Sequence, residues 1–163
     1  MLGALQFRNL LQTLNHHAVD YIVVGGVGAV LQGAPVSTLD LDIVYSLESE
    51  NLPRLIGALE DLDAVYRVQP ERRLQPKTSH LAAGGHNLLI TRFGPLDLLG
   101  NIGNGRSYPD LVSHTSAMDL GDGLTVPVLE LETLIAVKEE VGGEKDRAML
   151  PVLRRTLEEL RRR

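Results

Sequence analysis

Hydrophobic and polar positions alternate along this chain with changing period, and the changes mark its elements. Phe7, Leu10, Leu11 and Leu14 recur at helical spacing, so the first 17 residues read as an amphipathic helix. Asp20 to Val24, apolar from Tyr21 onward, reads as a buried strand that ends at Gly25. Val27 to Gln32 reads as a short helix stopped by Gly33. Leu39 to Ser46 reads as the second strand, alternating in side-chain direction, with L-D-L-D-I giving it two different faces. Leu52, Leu55, Ile56, Leu59 and Leu62 give the next helix one apolar stripe. Residues 66–85 mix Pro, Gly and basic residues and are expected to be a mobile surface loop. Asn87 to Arg92 is expected as a strand, Gly94-Pro95 as a turn, Leu96 to Leu99 as a strand and Asn101 to Gly105 as a loop. Ser116 to Leu120 and Leu124 to Val128 flank Gly121-Asp122-Gly123 as a hairpin. Glu130 to Val141 reads as a helix ended by Gly142-Gly143. A last helix, Glu144 to Arg163, is expected to kink or break at Pro151.

This order gives an α+β chain in which a mixed sheet is flanked by helices, with a C-terminal helical segment. The expected division is a core over residues 1–128 and C-terminal helices over 129–163, packed as one domain. The length, 163 residues, suits a single core. A net charge of -5 argues against a broad basic coat for nucleic acid, though not against one local groove. The absence of cysteine removes thiolate metal sites and thiol catalysis, and it fits a reducing cytoplasm. No run approaches the length of a membrane span, and the N-terminal stretch lacks the basic leader and apolar core of a secretory signal.

One place breaks the binary pattern. The second strand carries Asp40 and Asp42 where a half-buried strand would carry valine. Buried carboxylates without a partner are costly, so they commonly hold a cation. Two residues apart on a strand, both leave the same face with α-carbons about 6.6 Å apart, while Leu39, Leu41 and Ile43 are expected to face the core. Asp97 repeats the anomaly in GPLDLLG, and a neighbouring strand about 4.8 Å away would bring it to the same cluster. Hard oxygen donors of this kind suit Mg2+ or Mn2+, which keep open positions for substrate phosphates. Gly25-Gly26, between a strand and a helix, lets backbone amides approach an anionic ligand such as a triphosphate. The glycines do not make a dinucleotide fingerprint, because its third glycine would fall at Leu31. Lys138 lies on the apolar stripe of its helix, where it either reaches a phosphate or snorkels to solvent. The five histidines show no ligand spacing.

VVGGVGAVLQG followed by STLDLDIVY resembles the signature of the nucleotidyltransferase superfamily: a strand, a glycine pair, a spacer, an Asp-x-Asp strand and a later third Asp. The likeness is nearest to the small prokaryotic branch that includes toxin-like nucleotidyltransferases of abortive-infection systems. The resemblance implies a nucleotidyltransferase-like fold. It implies that Asp40, Asp42 and Asp97 hold catalytic Mg2+ or Mn2+ and that Asp97 helps deprotonate the acceptor hydroxyl. Gly25 and Gly26 would hold the triphosphate of an NTP, with Thr38 supporting the loop. The acceptor is left open among tRNA, a protein and a small molecule. A partner protein or a homodimer also remains open.

The chain departs from that signature at two positions, Val36 and Gly143, where such relatives often carry arginine. A second reading therefore stands beside the enzyme: a nucleotidyltransferase-fold binding module of a toxin-antitoxin-type pair. A third is a phosphohydrolase that uses the same acids with water as acceptor.

Overall fold

The computed structural model describes residues 2–163, with side chains described from Gln6 onward. Its centre is a seven-stranded mixed sheet, and the burial parity of the strands assigns each helix to a face. The elements run α1 (Leu2–His16), β1 (Tyr21–Val24), α2 (Gly25–Leu31), β2 (Leu41–Tyr45), α3 (Asn51–Asp61), β3 (Val65–Tyr66) and α4 (Thr78–Ala82). They continue with β4 (His86–Thr91), β5 (Gly94–Leu99), β6 (Asn101–Ile102), β7 (Arg106–Ser107), α5 (Tyr108–Leu111), β8 (Thr115–Asp119), β9 (Thr125–Leu129), α6 (Leu131–Val141) and α7 (Glu144–Arg161). The sheet order is β3-β4-β5-β2-β1-β9-β8, and β6 and β7 form a separate ribbon. β2 and β5 are parallel, as are β1 and β9; the other sheet neighbours are antiparallel. No described helix is long and apolar enough to cross a membrane.

Strand alternation divides the apolar residues between two cores. Tyr21, Val23, Leu41, Ile43, Leu96 and Leu98 face the side that also buries Leu10, Leu14, Leu55 and Leu81 from α1, α3 and α4. Ile22, Val24 and Val44 face the opposite side with Ala29, Leu134 and Leu153 from α2, α6 and α7. Asp42 shares the parity of Val44, so it must leave the sheet on the α2–α6 side. Gln32 fixes the two helices that flank it there. Its amide nitrogen donates to Gly28 O and Leu129 O, and its amide oxygen accepts from Leu131 N at 2.9 Å.

Several expectations are corrected by this architecture. β2 begins at Leu41, so Asp40 precedes the strand, and Leu39 is 85% exposed instead of facing the core. Pairing with β5 starts at Leu41↔Leu96, and nothing upstream holds residues 38–40 extended against a neighbour. The glycine pair is not a loop before α2 but its first turn. Gly94 and Pro95 belong to β5, and the turn is formed by Arg92 and Phe93. Asn101 and Ile102, expected as loop, pair with Ser107 and Arg106 as a ribbon. Residues 66–85 are not a featureless loop: they hold the end of β3, a 3-10 turn at Pro70–Arg72 and α4. Leu81 anchors that stretch in the core, and Tyr45 donates to its carbonyl at 2.8 Å. α7 runs unbroken through Pro151, which sits on the exposed face where the missing amide bond leaves a carbonyl open to water.

Candidate active site

The site is built where β1 ends and β2 begins. Val24, the last residue of β1, pairs with Asp42, and Asp42 pairs on its other side with Asp97 of β5. The two acids are therefore direct neighbours across a parallel pair, set by the register of three central strands. Gly25 has φ +65°, and a Cβ there would fall on the Asp42 carboxylate. A Cβ on Gly26 would stand 2.8 Å from Thr38 Oγ1. The glycine pair thus lets β2 and the 37–40 segment close onto the start of α2. Thr38 donates to Asp40 O at 3.2 Å and shapes the turn into the strand.

Asp42 is the electrostatic centre. Its Oδ1 is buried without a hydrogen-bond partner. Burial is the largest influence on its pKa, followed by the Asp97 charge, a hydrogen bond with Asp97 and the Asp40 charge; Lys138 opposes them, and the result is pushed up to about 7. Two carboxyl groups in contact favour sharing a proton over standing doubly ionised.

A cavity of about 550 Å³ opens beside these residues. It is lined by Gly25, Gly26, Ser37, Thr38, Leu39, Asp40, Asp42, Lys138, Lys145, Asp146 and Met149. A second cavity of about 400 Å³ shares Gly25, Asp42, Lys138 and Asp146 with it and is otherwise largely apolar, with Val24, Leu99, Ile102, Leu134, Val137 and Val141. One wall of this second cavity is the β6–β7 ribbon, which Glu140 pins to α6. Glu140 pairs with Arg106 and accepts from Asn104 N at 3.0 Å. The Asn104 amide first, and the Arg106 guanidinium after it, hold the Glu140 carboxyl below its usual range.

Of the residues singled out in the sequence, Gly25, Gly26, Thr38, Asp40, Asp42 and Lys138 line the first cavity together. Asp97 meets them through Asp42. Lys138 is 14% exposed and pairs with Asp146 at 3.2 Å, so it is held at the cavity and does not run out to solvent. Three participants lacked a readable signal. Lys145 and Asp146 look like an ordinary charged helix start, and only the packing of α7 beside α6 brings them to the cavity. Arg67 follows the two-residue edge strand β3. Its Nη2 donates to Asp97 Oδ1 at 2.5 Å, and its Nη1 lies 3.7 Å from Asp40 Oδ2. One arginine after a valine-tyrosine pair says nothing in sequence; the β3–β4–β5 order brings it to the acids.

Among the described residues, no three His, Asp or Glu side chains stand together in metal-site spacing. The chemistry of the donors nevertheless fits Mg2+ or Mn2+: carboxylate oxygens, one of them buried and unpartnered, beside a cavity with two lysines. Mg2+ is commonly held by one or two carboxylates, with substrate phosphates and water supplying the rest.

No protein-family model matches this chain, and no curated protein matches it by sequence. Solved structures do. A provisionally assigned nucleotidyltransferase from Thermotoga maritima, TM1012, superposes with a TM-score of 0.57 at 20% identity, covering 94% of this chain and 91% of that one. The lincosamide antibiotic adenylyltransferase LnuA, solved with lincomycin bound, superposes with a TM-score of 0.59 at 16% identity, covering 91% and 94%. The chain has a nucleotidyltransferase-like α+β fold.

Proposed function

We propose that this protein is a nucleotidyltransferase that moves a nucleoside monophosphate from an NTP to a hydroxyl acceptor and releases pyrophosphate. The observation that carries the reading is the pairing of Asp42 with Asp97, with Asp42 lining a cavity together with Gly25, Gly26, Lys138 and Lys145. Backbone amides at Gly25 and Gly26, with the two lysines, would bind the triphosphate. The acceptor oxygen would bond to the α-phosphorus as the bond to the bridging oxygen breaks and pyrophosphate leaves. Asp97 would take the hydroxyl proton. Asp42, with Asp40 and Asp97, would hold Mg2+ or Mn2+, which when bound neutralises phosphate charge.

The second reading is a binding module of a toxin-antitoxin-type pair. It draws support from Arg67, whose guanidinium already engages Asp97 and Asp40. One experiment separates the two. The wild type and the Asp40→Asn/Asp42→Asn double variant are incubated with α-labelled NTPs, Mg2+ or Mn2+, and a panel of tRNA, lysate protein and hydroxylated small molecules including lincomycin. The enzyme reading expects labelled acceptor with the wild type and a loss of about 1,000-fold or more in the variant. Transfer undiminished in the variant overturns it. NTP binding without transfer to any acceptor supports the module.

A further inference from the structure

Among the described residues, Arg67 is the one cation that pairs with two of the three acids, and its place in the fold makes the contact breakable. It follows an edge strand of two residues, Val65 and Tyr66, which pairs with β4 at the end of the sheet. Its amide donates to Leu88 O at 3.0 Å, so the backbone is held, while the side chain is 31% exposed and is tied only through its guanidinium. Immediately beyond it, Val68 is 75% exposed and Gln69 has φ +54°, so the chain leaves the sheet at this point. The guanidinium bridges acids from different elements: Asp97 of β5, 14% exposed, and Asp40 before β2, 42% exposed. An ordinary surface ion pair joins two exposed side chains; this one reaches inward to an acid that already contacts Asp42.

We propose that Arg67 is the internal counter-cation of the acid cluster: it holds Asp97 and Asp40 while no divalent cation is bound, competes with that cation for the same carboxylates and is displaced by it. The inference rests on the reading of these acids as a cation site. It accounts for two observations together. The three carboxylates do not converge on one point, because a planar fork of donors draws two of them toward itself. Asp42 Oδ1 stays unpartnered, because that fork reaches Asp97 and Asp40 and no more. Displacement turns the guanidinium out toward solvent, on the side where Val68 and Leu88 (41% exposed) already stand open.

Mn2+ binding read by calorimetry and by the electron-paramagnetic signal of free Mn2+ tests the competition without any acceptor. Arg67→Ala is expected to tighten Mn2+ binding about tenfold, the weight of one charge-assisted hydrogen bond. Arg67→Lys, which keeps the charge, should stay near the wild type, and Arg67→Ala/Asp97→Asn should lose the gain. Unchanged or weaker Mn2+ binding in Arg67→Ala overturns the competition and leaves the site reading intact. No Mn2+ binding in any variant overturns both. A second measurement needs no variant beyond assignment. The Arg67 Nε resonance, identified by its loss in Arg67→Lys, should shift on titration with Mg2+, and a resonance that does not move overturns displacement.

Discussion

Two regions deliver charge to the same place by opposite means. The segment from Val24 to Asp42, with Asp97 beside it, places its acids from the centre of the sheet. Asp42 and Asp97 are each fixed by register to strands on both sides, and Gly25 exists in a conformation and a space that only glycine fills. The segment around Arg67 places its cation from the edge. It has one sheet neighbour, and its side chain crosses to the acids on a flexible stem. Central placement fixes a carboxylate at the cost of burying it, which is why Asp42 is pushed up to about 7. Edge placement leaves a charge movable. On the proposed nucleotidyltransferase reading, a site that takes up and releases a polyanion with its cation needs both kinds of group.

The sharpest way to break the contrast is at its rigid side. Gly25→Ala puts a methyl group on the Asp42 carboxylate and a side chain in the left-handed region. Either β2 shifts or the start of α2 does. The expected loss is about 2–4 kcal/mol, a fall in Tm of roughly 5–15 °C by scanning calorimetry. A variant that melts with the wild type would show that the close approach of β2 to α2 is not a structural requirement.

That rigid side is also the part that could be read from the chain. An apolar run ending in two glycines and an L-D-L-D-I alternation each violate a local rule, and residues that violate a rule where packing should win point to a site. Gly25, Gly26, Thr38, Asp40 and Asp42, singled out around that pattern, line one cavity, and Lys138, which the sequence left open between a phosphate and solvent, lines it too. The start of β2 was not legible, because alternation continues through Leu39 while pairing does not begin until Leu41. Residues 66–85 were illegible for a different reason. Their order comes from one buried leucine and from long-range bonds such as Arg67 N to Leu88 O, which leave no periodicity. Asp146 was hidden in the same way, since a charged first turn is common to solvated helices and only the packing of α7 beside α6 brings it to Lys138.

The next test concerns the cost of central placement. In the unfolded chain the Asp42 carboxyl ionises near 3.8, while in the fold it keeps its proton up to about 7. Unfolding therefore releases a proton between about pH 4 and 7, and this group's contribution to stability declines as pH rises through that window. Below the window both states are protonated and no penalty exists. Asp42→Asn removes the charge, so its metal-free stability relative to the wild type should grow by on the order of 1–3 kcal/mol from pH 4 to pH 8. Urea unfolding of both proteins at matched pH values measures the difference. A difference that does not change with pH would mean that Asp42 is ionised throughout and that water or an ion reaches it.

The smallest effect is expected at the movable side. Arg67 is 31% exposed, and its pair with Asp40 is long at 3.7 Å, so only the Asp97 contact has the geometry to stabilise the fold. Partly exposed ion pairs contribute about 0–1 kcal/mol. Arg67→Ala should therefore lower the metal-free Tm by no more than about 4 °C. The loss should shrink at high salt, because screening weakens both the pair and the repulsion left among the acids. A loss several times larger, insensitive to salt, would make Arg67 a structural pin fixed like Gly25. The edge of the sheet would then be as rigid as its centre, and displacement by a cation would have no room to occur.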